Sequence, residues 1–66
     1  MNVIVNGQSQ NFPADMSVTN LLNALGYEHA YVAVAINRLC IRRTEFSVTE
    51  VHDGDEVEVL APMSGG

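Results

Sequence analysis

The 66-residue chain reads as an α+β domain, a mixed sheet of four to five strands with one helix packed on one face. Segments of alternating β-branched residues stand near both ends and in the middle, and a single stretch carries helical spacing. The dipeptide Asn6-Gly7 directly follows the first strand-like run, where a tight hairpin is expected. The element order is ββαβ(β)β, with the face opposite the helix left open.

From Asn2 to Asn6, Val3 and Val5 lie on one face and Ile4 on the other. Asn6-Gly7 suits a type I′ turn, which needs positive φ at both central residues. Gln8 to Phe12 is polar except at its end and is stopped by Pro13, so it reads as an edge strand whose Phe12 returns to the core. Ser17 then precedes Val18, Leu21, Leu22 and Leu25, an apolar stripe at offsets of 0, 3, 4 and 7, and Gly26 follows. A hydroxyl able to accept from the first turn, one apolar face and a glycine for the left-handed end predict an amphipathic helix of about two to three turns. A helix this short does not persist alone and needs a sheet to lie on.

Tyr31 to Asn37 places Val32, Val34 and Ile36 on one face and Ala33 and Ala35 on the other, and is expected to be the central strand. A turn near Asn37-Arg38 leads to a short strand, Leu39 to Ile41, and Thr44-Glu45-Phe46 reads as a single helical turn or loop. The last strand begins after Asp53-Gly54-Asp55 and runs from Glu56 to Ala61, with Val57 and Val59 inward and Glu56 and Glu58 outward. Leu60 falls on the glutamate side. Beside Ile4 and the small Ala33 or Ala35, it hints at a protein contact patch. Pro62 ends the strand, so the expected organisation is a domain over 1–61 and a flexible tail over 62–66.

At 47% hydrophobic and 17% charged residues, the composition suits one globular core. A chain of this length buries only about 60% of its unfolded surface, so the core is thin and a deep substrate cavity is not expected. The formal charge is −5, and the basic residues are three arginines with no lysine. That balance argues against nucleic acid, which requires a cationic stripe, and favours a basic protein partner. Cys40 is the only cysteine, which suits a reducing, cytoplasmic setting. The longest apolar run, Ala30 to Ile36, is far below the roughly 20 residues of a membrane span, and the start of the chain lacks signal-peptide features.

The usual catalytic sets do not occur. His29 and His52 read as partly exposed loop histidines, and no metal-ligand spacing is present. Cys40, between Leu39 and Ile41, is expected to face inward as a small hydrophobe rather than to act as a reactive or persulfide-carrying thiol. Asp53-Gly54-Asp55 lacks the remaining ligands of a calcium loop and is explained by turn chemistry, while Arg42-Arg43 reads as a solvated pair. The informative feature is Gly65-Gly66 at the end of the chain. Two residues without side chains can enter a narrow cleft of another protein and present the α-carboxylate of Gly66 for activation as an acyl-adenylate.

In their order, Val3-Ile4-Val5-Asn6-Gly7, the helix from Ser17 to Leu25, Val34-Ala35-Ile36-Asn37, Asp53-Gly54-Asp55 to Val59 and the final Gly65-Gly66 resemble the ubiquitin-like β-grasp sulfur carriers, and most closely the ThiS type of thiamine biosynthesis. The resemblance covers essentially Met1 to Gly66 and implies a carrier that is not itself an enzyme and holds no cofactor. An E1-like, ThiF-type adenylyltransferase would use ATP to adenylate Gly66. Sulfur from a cysteine desulfurase would replace AMP, and the thiocarboxylate would serve a ThiG-type thiazole synthase. Carried over to this chain, Gly66 is the acting residue and Gly65 gives access. Leu60, Ala61 and Met63 steer the tail, and Glu56 and Glu58 meet a basic surface on the activating enzyme. No metal is implied, and the free carrier is expected to be a monomer. The small subunit of molybdopterin synthase, a ubiquitin-like protein modifier and a plain β-grasp interaction module remain as alternatives.

Overall fold

Five strands make the main sheet of the computed structural model, which describes residues 1–28 and 31–61. The elements in chain order are β1 (Asn2–Val5), β2 (Gln8–Asn11), β3 (Met16–Ser17), α1 (Val18–Leu25), β4 (Ala33–Ile36), β5 (Leu39–Ile41), β6 (Glu50–Val51) and β7 (Glu56–Leu60). The strand order is β2-β1-β7-β4-β5, with β3 and β6 forming a separate two-stranded ladder. β1 and β7 run parallel and every other pair is antiparallel.

The first hairpin turns at Asn6 and Gly7, with φ of 49° and 82°, the left-handed pair that the Asn-Gly signal requires. β2 is the expected edge strand, and Phe12, just past its end, packs half-buried against the core. The second hairpin turns at Asn37 and Arg38, with φ of 50° and 71°. Arg38 thus holds a position where glycine is the rule, at a steric cost of about 1–2 kcal/mol.

Helix α1 is held at both ends by its local sequence. The Ser17 hydroxyl accepts the N–H of Asn20 at 3.1 Å. Gly26, at φ 84°, donates to the Asn23 carbonyl, and Tyr27 donates to that of Leu22. This double closure satisfies carbonyls that the last turn leaves without helical partners. Replacing Ser17 by alanine should lower stability by about 1 kcal/mol in a denaturant melt, because one first-turn donor loses its acceptor.

Val18, Leu21 and Leu22 are fully buried and meet Val3 and Val5 of β1, Val34 and Ile36 of β4, and Val57 and Val59 of β7 in one core. Val32, Phe46 and Val51 complete it. Two expectations change here. The centre of the sheet is β7, with β4 beside it, because the last strand inserts between β1 and β4. In a sheet with only one covered face, central and flanking strands share the same alternation, so the pattern does not rank them. Alternation marks no strand between Phe46 and the Asp53 turn, yet β6 pairs with β3 through Met16↔Val51 and Ser17↔Glu50. The same segment caps the helix: Val18 N–H donates to the Thr49 carbonyl at 2.9 Å and Thr19 N–H to that of Phe46 at 3.2 Å.

Candidate functional site

β7 is the element that leads toward Gly65-Gly66, and its alternation divides the sheet. Val57 and Val59 point into the core, whereas Glu56, Glu58 and Leu60 are exposed on the opposite face. Register builds the rest of that face. Ala33 lies across from Leu60 and Ala35 across from Glu58, while Ile4 lies beside Glu56. Leu60 is 72% exposed and Ile4 38%. The expected patch of Ile4, Ala33, Ala35 and Leu60 therefore shares one face with Glu56 and Glu58.

The face is shallow. A hollow of about 200 Å³ is lined by Ile4, Gly7, Arg38, Glu56, Val57 and Glu58. A neighbouring one of about 280 Å³ includes Ala33, Ala35, Arg38, Cys40, Glu58 and Leu60. Arg38 borders both. Apolar atoms, two carboxylates and one guanidinium over a flat surface suit contact with another protein better than enclosure of a small molecule.

Cys40 corrects an expectation. It is exposed, and it lies opposite Ala35. That register puts it on the open face, while Ile41 opposite Val34 takes the core side. A three-residue strand between two apolar neighbours offers no parity of its own, and only the pairing decides which residue turns inward. Ala61 is exposed at the end of β7, while Met63, Gly65 and Gly66 lie outside the described residues, as does His29.

The turn before β7 acts as a junction. Asp53 Oδ1 accepts the Asn2 N–H at 2.7 Å. Asp55 Oδ2 accepts the His52 N–H at 2.8 Å, and its Oδ1 accepts from Asn37 Nδ2 at 3.0 Å. Gly54, at φ 88°, allows the sharp reversal. Both carboxylates are thus engaged in turn and inter-strand bonding, as turn chemistry expects. His52 is exposed, as expected, with its Nε2 3.7 Å from Glu50 Oε1.

The fold also gathers a group that spacing could not reveal: Asp15, Glu50 and His52 place one ligand-type atom each within 4.8 Å of one another. The β3–β6 register sets Asp15 across from His52, and Glu50 shares their face. All three are exposed, as acidic groups often are on a short solvent-facing ladder. Among the described residues, no helix is long and apolar enough to cross a membrane.

Comparison with known proteins agrees with this geometry. The crystal structure of the thiamine biosynthesis protein ThiS from Geobacter metallireducens superposes with a TM-score of 0.86 at 40% identity, covering 100% of both chains. The fold is therefore the ubiquitin-like β-grasp. The sulfur carrier protein ThiS of Escherichia coli K12 is 30% identical over 66 residues, the full length of both. The thiazole synthase of Paramagnetospirillum magneticum is 36% identical over the same 66 residues, and the chain spans 20% of that protein's length. The ThiS family model matches residues 3–66, the hairpin, helix and central strand together with the Gly65-Gly66 pair, and the chain belongs to the ThiS family.

Proposed function

We propose that this chain is a sulfur carrier of thiamine biosynthesis whose Gly66 carboxylate is the carrying group. What carries the reading is the family match from residue 3 to residue 66, which takes in both terminal glycines as well as the fold. An E1-like adenylyltransferase joins the carboxylate to the α-phosphorus of ATP, and pyrophosphate leaves. The outer sulfur of a persulfide, supplied through a cysteine desulfurase, attacks the acyl carbon, and AMP departs with the electron pair of the broken C–O bond. A second thiol then opens the S–S bond, leaving a thiocarboxylate on Gly66 and a disulfide elsewhere.

The carrier contributes the carboxylate and a docking shape, and its partners contribute the catalysis. Leu60, Ala61 and Met63 guide the tail, and Glu56 and Glu58 meet a basic surface on the activating enzyme, since exposed carboxylates steer encounter with a cationic patch. The acceptor is a thiazole synthase. The P. magneticum protein of that name supports this choice, because it carries a segment similar to the whole of this chain within its own sequence.

The test is mass spectrometry after incubation with the activating enzyme, ATP and a sulfur donor. Replacing oxygen by sulfur adds almost the mass of one methionine oxidation, and the chain has three methionines, so intact mass is ambiguous. Trypsin releases Thr44 to Gly66, a peptide with Met63 but without Cys40. After treatment with a thiol alkylator, an adduct on that peptide is the expected result and reports the thiocarboxylate. An unmodified peptide, with the enzyme shown to be active on another carrier, would overturn the reading.

A further inference from the structure

The end of β7 has a fixed direction only if the strand is held on both sides up to its last residues. The bonding of β7 alternates. Glu56 faces β4, where its carbonyl accepts the Asn37 N–H at 2.7 Å, and Val57 faces β1, where its carbonyl accepts the Asn6 N–H at 2.9 Å. By the strand period of two, the N–H and C=O of Val59 also face the β1 side. No strand residue of β1 is left to meet them. The last β1–β7 pair is Val5↔Val57, and the chain then turns away at Asn6-Gly7.

The Asn6 side chain takes that place. Its Oδ1 accepts the Val59 N–H at 2.8 Å, and its Nδ2 donates to the Val59 carbonyl at 3.3 Å. Asn37, at the matching position of the other hairpin, accepts the Glu56 N–H through its Oδ1 at 3.0 Å. Two turn asparagines thus clamp opposite ends of the central strand. Turn chemistry explains an asparagine at both positions. It does not explain a carboxamide bonded to both backbone groups of Val59, the second-to-last residue of β7.

We propose that Asn6 is a positioning residue for the tail. By holding Val59 on the side where β1 has ended, its carboxamide fixes the direction in which β7 presents Leu60 and Ala61, the start of the tail, to the activating enzyme. This rests on the reading that Gly66 is the activated group. Without the clamp, the end of β7 is tied only to β4, and the fraction of carriers whose β7 end is correctly aimed falls. Apparent productive affinity falls by that same fraction.

Asn6→Gly is the discriminating variant, because glycine tolerates the positive φ of the turn while the carboxamide is lost, and its added backbone freedom is matched in the control. Asn37→Gly is its control, with the same turn chemistry and a lost clamp at the far end of β7. In the whole 66-residue chain, Asn6→Gly is expected to speed amide hydrogen exchange at Val59, whose N–H loses its acceptor, and at Leu60. It should lower kcat/KM for ATP-dependent activation on the order of tenfold. Asn37→Gly should leave both within about twofold of wild type, whatever it does to the melting temperature. Equal losses in the two variants would assign the effect to general destabilisation and overturn the proposal, as would unchanged exchange at Val59 and Leu60 in Asn6→Gly. A wild-type carrier inert toward an otherwise active enzyme would instead overturn the reading of Gly66. The exchange measurement would still decide whether Asn6 holds the end of the strand.

Discussion

Deletion of Gly66 is expected to abolish thiocarboxylate formation while leaving the thermal melt where it is for the intact chain. The two halves have separate causes. The described core runs from Val3 to Val59, and the exposed Ala61 already lies beyond it. Gly66 carries no side chain, so its removal takes no apolar side chain from that core. The chemistry is far less tolerant. A carboxylate moved to Gly65 falls short of its former position by about 3.3–3.6 Å, the length of one extended residue, whereas a displacement of about 1 Å can slow a positioned reaction by roughly a hundredfold. Circular dichroism melts and the alkylated tryptic peptide measure the two halves independently. Undiminished thiocarboxylate would contradict the loss of chemistry, and a melt shifted by many degrees would contradict the unchanged fold.

The largest effect on stability is expected from Phe46→Ala. Phe46 is 3% exposed and is the one aromatic ring among the buried core residues described. It reaches the core from the segment between the 3₁₀ turn Arg43–Glu45 and β6, and its carbonyl also caps Thr19 at the start of α1. Truncating a buried phenylalanine costs about 3–5 kcal/mol. A domain of this size holds only about 3–10 kcal/mol in total, at roughly 0.05–0.15 kcal/mol per residue. With about 4–8 °C lost per kcal/mol, the midpoint should fall by at least about 12 °C. Val48 supplies the comparison on the same segment: it is 78% exposed, and Val48→Ala should stay within about 0.5 kcal/mol of wild type. A Phe46→Ala midpoint within about 5 °C of wild type would mean that the ring does not anchor the segment.

Phe46 also shows where local reading stops. The first hairpin, the helix with Ser17 and Gly26 at its ends and the alternation of β7 are each written in contiguous residues, through turn chemistry and periodicity. Phe46 and Val51 are single apolar residues among polar neighbours, and neither period registers them. Their burial follows from closing the space beside α1, which exists only after the sheet has formed. The candidate site divides in the same way. Leu60 among the glutamates was visible as a break in alternation. The roles of Asn6 at Val59 and of Asn37 at Glu56 were hidden, because each joins residues far apart in the chain.

The amino-acid sequence by itself determined the order of the helix and the five main-sheet strands, the amphipathic helix with both its ends, the open acidic face of the last strand and the resemblance to diglycine-ended sulfur carriers. These rest on interactions between near neighbours or on the chemistry of single residues. Only the tertiary structure decided that β7 lies at the centre of the sheet, that Cys40 faces outward and that Asp15 meets Glu50 and His52. It also decided that two turn asparagines bind the backbone of the central strand. Each of these depends on which strands pair and in what register, and pairing is settled by burying one shared core rather than by any local pattern.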